Sequence, residues 1–132
     1  MSHTAYAEFL DRKAQLPEMG GFEPTWLPEF LFDFQRHLTD WAIRKGRAAI
    51  FAGCGLGKSP CQLIWSQNVI ERTNRPVLIL APIAVGAQTV READKFAVPA
   101  VRSGNGSLPS SPKVVVANYE RLHYFRPADF AG

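Results

Sequence analysis

Ile50-Phe51-Ala52-Gly53-Cys54-Gly55-Leu56-Gly57-Lys58-Ser59 is the stretch on which the reading of this chain turns. It fits the phosphate-binding loop pattern, with Ala52 in the first glycine position and Gly57-Lys58-Ser59 closing it. The apolar run Ala48-Ala49-Ile50-Phe51-Ala52 ahead of it predicts a buried strand over 47–52. The segment Gln62-Leu63-Ile64-Trp65-Ser66-Gln67-Asn68-Val69-Ile70 behind it predicts a helix from about 58 to 72. Strand, glycine-rich turn and helix in that order are the setting such a loop needs. Gly53, Gly55 and Gly57 let the backbone wrap closely and aim its N–H groups inward, with Cys54 and Leu56 contributing backbone donors between them. The helix N-terminus adds partial positive charge. Lys58 has the length and charge to reach β and γ phosphates, and the Ser59 hydroxyl is a ligand for Mg²⁺. The bland alternative is a glycine-rich turn with an exposed lysine, and the flanks decide against it.

Working outward, the punctuation of the chain predicts alternating elements. Upstream, Leu31, Phe34, Leu38, Trp41 and Ala42 recur at helical spacing between residues 29 and 45, with Gly46 as the expected C-cap. Before them, residues 17–28 hold Pro17, Gly20, Gly21, Pro24 and Pro28 and read as an irregular connector, whose Phe22 and Trp26 are expected to pack onto the domain. Residues 4–16 have helical composition. Downstream, Asn74-Arg75-Pro76 turns into Val77-Leu78-Ile79-Leu80-Ala81, a continuous apolar run of the kind buried in a parallel sheet. A helix over about 84–96, a surface loop over 102–112, a strand at Lys113-Val114-Val115-Val116-Ala117 and a helical turn over 119–123 follow. The expectation is an α/β chain with a parallel sheet and helices on both faces. Its organisation reads as an N-terminal helix and connector over 1–28 and one domain over 29–132.

Bulk properties set wide limits. The 132 residues suffice for one domain, and 46% apolar with 20% charged residues is ordinary for a globular protein. A net charge of +3 permits an anionic partner without requiring one. Cys54 lies in the loop and Cys61 in the helix after it, so a disulfide between them would distort the loop; both are read as reduced, in a cytosolic setting. No metal-ligand spacing, membrane-span-length apolar run or signal-peptide core is legible.

Three further segments carry a family resemblance. Leu31-Phe32-Asp33-Phe34-Gln35, on the helix leading into the loop strand, resembles the adenine-reading glutamine motif of superfamily-2 helicases and translocases, in particular their remodeller-like branch. A glutamine amide is able to donate to adenine N7 and accept from its N6 amino group, while Phe32 or Phe34 stacks on the ring. Leu78-Ile79-Leu80-Ala81-Pro82, with Gln88 and Glu92 beyond it, resembles the helicase motif after the second core strand. Val115-Val116-Ala117-Asn118-Tyr119-Glu120-Arg121-Leu122 resembles the "T-Y-E-x-L" segment. The segments stand in the family's order over about residues 30–123, with a texture like chains encoded by bacteria and their phages.

The resemblance implies a RecA-like P-loop NTPase lobe, ATP with Mg²⁺ as cofactors, and nucleic acid, chiefly double-stranded DNA, as the track. It implies nucleotide binding by Gln35, Phe34 and residues 52–59, with Lys58 and Ser59 at the reacting end. It implies nucleic-acid contacts from Pro82, Gln88, Asn118 and Tyr119. Three departures stand out: Gly53 replaces a commonly acidic residue, Ser59 a commoner threonine, and Pro60 removes a backbone donor in the first helical turn. No Asp-Glu dipeptide occurs in the sequence, although hydrolysis in this family uses such a carboxylate pair. The chain is therefore expected to be an incomplete first helicase lobe, ending before that strand and lacking the second lobe, with little turnover of its own. A complete, non-catalytic module that occupies a partner or DNA without cycling is the alternative. A small-molecule kinase is a third possibility, disfavoured because the adenine motif precedes the loop and no lid-like basic segment follows.

Overall fold

The computed structural model describes residues 20–50 and 58–131. The expected N-terminal helix over 4–16 and most of the phosphate loop, residues 51–57, lie outside them. The described chain is α/β. Helix α1 spans Asp33–Lys45, α2 Lys58–Thr73 and α3 Ile83–Lys95, and the strands are β1 at Val77–Ala81, β2 at Ala100–Arg102 and β3 at Val114–Asn118. Two 3-10 segments, Tyr119–Tyr124 and Pro127–Asp129, close it. The three strands form a parallel sheet in the order β1-β3-β2. Register pairs Ala81 with Asn118 and Arg102 with Val116, which brings the carboxyl ends of all three strands together.

One face of the sheet carries the main core. Val77, Ile79, Val114 and Val116 pack there against Leu63, Ile64, Val69 and Ile70 of α2 and Ala93 of α3. The other face presents Val115 and Ala117, with Leu78, Leu80 and Val101 half-buried, to Phe125 and Phe130. Those two rings meet edge to face, 5.9 Å apart. Among the described residues α2 and α3 share one face, and an aromatic pair from the C-terminal turns covers part of the other. The C-terminal segment is tied down at the amino end of β1, where Ala131 N–H donates to the Pro76 carbonyl at 2.9 Å.

Two expectations change. Residues 47–50 are not assigned to a strand, and residues 51 and 52 of that expected strand lie outside the described residues. β2 stands between the expected helix over 84–96 and the expected loop over 102–112, overlapping that loop at Arg102, and it reaches β3 through residues 103–113 without a helix. Its three residues hold through pairing to β3, including Ser103 N–H to the Val116 carbonyl at 3.0 Å and Val114 N–H to the Pro99 carbonyl at 3.1 Å.

α1 begins later than its periodicity suggests. Leu31 closes a turn on Pro28, and the Gln35 side chain reaches back to accept the Phe32 N–H at 3.0 Å, the arrangement that starts a helix at Asp33. Its buried residues are Gln35, Thr39, Ala42 and Ile43, while Phe34 and Trp41 of the expected apolar stripe are exposed. Small side chains allow the close approach to α2, where the Cys61 thiol lies 3.8 Å from the Gln35 carbonyl. Gly46 ends the helix at φ 84°, a conformation that favours glycine. A methyl group at Gly21 would collide with the carbonyl oxygens of Ile43 and Arg44, so the connector crosses the end of α1 at backbone contact.

The connector is also fastened to α2. Phe22, Trp26 and Leu27 pack against the core, and the fully buried Asn68 binds the backbone of Thr25 and Trp26. No helix among the described residues is long and apolar enough to cross a membrane.

Candidate functional site

α2 starts at Lys58, so Lys58, Ser59 and Pro60 form its first turn, directly after the glycine-rich stretch. Residues 52–57 lie outside the described residues, as does the side chain of Lys58. Pro60 is half-buried in the first turn, where a missing N–H breaks no helical bond.

Ser59 lines a cavity of about 510 Å³ between α1, α2, the edge of β1 and the start of α3. Pro82 and Tyr119 line the same cavity, along with Thr39, Ala48, Ile50, Gln62 and Trp65. None of the described residues lining it carries a charge. Its hydroxyl is a hard oxygen of the kind Mg²⁺ takes, and that ion ordinarily completes its shell with water and phosphate oxygens. Ser59 therefore fits a metal held jointly with a nucleotide. Among the described residues no group of three or more His, Cys, Asp or Glu forms a metal cluster, and no hydrolytic step is assigned to this chain.

Gln35 and Phe34 are placed apart from this cavity's wall. Gln35 is 6% exposed and its side-chain amide oxygen Oε1 accepts the Phe32 N–H. Reading a purine with both amide atoms requires that bond to be exchanged. Phe34 stacks on Phe32 at 6.2 Å with 11° between planes, and both rings are open to solvent.

A second cavity, of about 220 Å³, sits at the carboxyl ends of β2 and β3 beside the first turns of α3. Arg102, Ser103, Gly104, Asn118 and Gly86 line it. The Arg102 guanidinium lies over Gly86, whose missing side chain leaves the room: a Cβ there would stand 3.6 Å from Nε. No described carboxylate forms an ion pair with Arg102; the ion pairs present join Arg44 to Asp40 and Glu23. Ser103 is buried and shares a hydrogen bond with Ser107 across 3.4 Å. Of the expected nucleic-acid residues, Asn118 is in this cavity, while Pro82 and Tyr119 border the first. Gln88 stands on the exposed side of α3, 3.4 Å from Glu92. Arg102 and Ser103 were not legible as site residues, because only the pairing of β2 with β3 brings them to the strand ends.

Four other basic residues have local partners. Arg36 donates to the Pro28 carbonyl at 3.2 Å, Arg44 to Asp40 at 2.9 Å, and the Lys45 and Lys95 ammonium groups lie over the rings of Trp41 and Phe96. Cys61 is buried.

No protein-family model matches the chain, and no curated protein matches it significantly.

Proposed function

We propose that this chain is the ATP-binding portion of a superfamily-2 DNA helicase or translocase, acting in the cytoplasm of a bacterial cell or phage-infected host. ATP with Mg²⁺ is the cofactor and duplex DNA the track. The observation that carries the reading is the glycine-rich stretch 53–57 running straight into a 16-residue helix whose first residues are Lys58 and Ser59. A helix N-terminus with a lysine and a hydroxyl, preceded by closely spaced glycines, is built to receive phosphate. The exposed Phe34 ring supports the adenine end of the reading. The gathering of Arg102, Ser103 and Asn118 at the strand ends supports a phosphate backbone passing there.

The test is a titration of the whole chain with a fluorescent, non-hydrolysable ATP analogue and Mg²⁺. Saturable binding that unlabelled ATP displaces supports the reading, and its absence at millimolar analogue defeats it. Pro60→Ala in the same titration is expected to tighten binding by about threefold, because it restores a backbone donor in the first turn at a position where alanine is helix-compatible. Unchanged or weaker binding would place Pro60 outside the phosphate contacts.

The nucleic-acid part is tested separately. Arg102→Ala is expected to weaken duplex DNA binding about threefold to tenfold, equally for unrelated sequences, and to reduce the slope of log affinity against log salt by about 1. Anisotropy titrations at several salt concentrations measure both. An unchanged slope would show that the guanidinium touches no DNA phosphate.

A further inference from the structure

The turn that leaves β2 reads Ser103-Gly104-Asn105-Gly106-Ser107. Asn105 is exposed, and its side-chain oxygen accepts the Ser107 N–H at 3.0 Å. That bond folds the side chain back over the Asn105–Gly106 peptide and keeps Cγ near the Gly106 nitrogen. It also draws charge onto the oxygen, which leaves Cγ more electrophilic. Gly106 brings no side chain against the approach, and among the described residues no backbone carbonyl takes its N–H. The position calls for glycine: it stands at φ 86°, and a Cβ there would collide with the Tyr124 carbonyl oxygen. The other asparagines differ. Asn68 is fully buried with both amide atoms bonded. Asn74 and Asn118 precede Arg75 and Tyr119, whose side chains crowd the following nitrogen.

We infer that Asn105 is a covalent modification site, where the Gly106 nitrogen displaces ammonia from the side-chain amide and water then opens the ring. The Gly106 nitrogen gives its proton to water and bonds to Cγ, and the Ser107 N–H meets the charge that develops on the side-chain oxygen. The bond from Cγ to the amide nitrogen breaks, and that nitrogen leaves as ammonia with the proton returned. Water then adds to the cyclic imide. Cleavage between Cγ and the Gly106 nitrogen gives aspartate, and cleavage between the α-carbonyl carbon and that nitrogen gives isoaspartate. The balance is one water consumed and one ammonia released, with no change of oxidation state. Either product adds a negative charge beside Arg102, a cation with no ion pair among the described residues. Isoaspartate also adds a methylene to the backbone between Ser103 and Ser107, whose hydroxyls share a hydrogen bond at 3.4 Å. The reaction stands apart from nucleotide and DNA binding, since water is its co-reactant.

For the test, the whole chain is held folded in mildly alkaline water enriched in heavy oxygen, then digested and read by mass spectrometry. Expected is the label at position 105, in both aspartate and isoaspartate, with none at Asn68, Asn74 or Asn118. Asn105→Gln must close a larger ring, so it is expected to label at least about tenfold more slowly while keeping the native melting temperature. The same incubation in urea reads the unfolded chain, and the folded chain is expected to label at no less than about a tenth of that rate. An unlabelled position 105 in the folded chain overturns the assignment, whether or not urea restores the label. Labelling of Asn105→Gln at the native rate overturns it too, as does equal labelling of Asn74 or Asn118.

Discussion

Asn68→Ala is expected to lower the melting temperature of the chain by about 10 °C, equivalent to about 3 kcal/mol of stability. The side chain is fully buried. Its oxygen accepts the N–H groups of Thr25 at 2.8 Å and Trp26 at 3.0 Å, and its nitrogen donates to the carbonyls of Trp26 and Ile64, each at 2.8 Å. Truncation leaves the Trp26 backbone without its partners beneath a packed indole, and water reaches it only by loosening the connector. The neighbouring bond from the Thr25 hydroxyl to Glu71, 2.7 Å, is exposed and does not substitute for them. Asn68→Asp keeps the acceptor but removes the donor and buries a charge, so it is expected to be no better tolerated. Thermal unfolding followed by circular dichroism measures both. A shift below about 3 °C for Asn68→Ala would show that the connector contributes little to the stability of α2.

Lys58→Ala is expected to weaken binding of the ATP analogue between about tenfold and a hundredfold while leaving the melting temperature within about 2 °C of the native chain. On the proposed function the Lys58 ammonium bonds phosphate oxygens, so its removal would forfeit a charge-assisted contact. Alanine is at least as good a helix former as lysine in the first turn of α2, so the fold has no reason to respond. Lys58→Arg keeps the charge but changes a compact ammonium for a planar fork, and it is expected to fall between the two. Equal affinity for the native chain and Lys58→Ala would remove Lys58 from the phosphate site, and with it the reading of the glycine-rich stretch.

The elements that were legible are those whose local pattern and tertiary role agree. The apolar runs at β1 and β3 pair with each other, with β3 in the middle of the three described strands and the more completely buried, and α2 and α3 follow their apolar spacing to within a residue or two. α1 was legible as a helix, yet its buried face was not. A stripe containing Phe34 and Trp41 promises more apolar burial than one containing Gln35 and Thr39, and composition favours the former. The contact with α2 chose the latter, because Thr39 answers its own hydroxyl by donating to the Gln35 carbonyl at 2.8 Å and leaves room for a close crossing.

β2 was not legible, since three residues after a proline carry no period; its register on β3 is what makes it a strand. Arg102 and Ser103 depend on that register and were hidden with it. Asn68 had a faint signal, a lone amide on the face that carries Ile64 and Val69, but its partners lie more than forty residues away on the connector.

By itself, then, the order of residues determined an α/β chain, its principal helices and strands, and a phosphate-loop pattern opening α2, because these follow from spacing and from the backbone freedom of glycine over short distances. Tertiary structure decided which face of α1 is buried, that α2 and α3 share one side of the sheet, and that β2 pairs with β3 to bring Arg102 and Ser103 beside Asn118. Those outcomes turn on which surfaces meet, and burial and hydrogen bonding between distant segments have no trace in local periodicity.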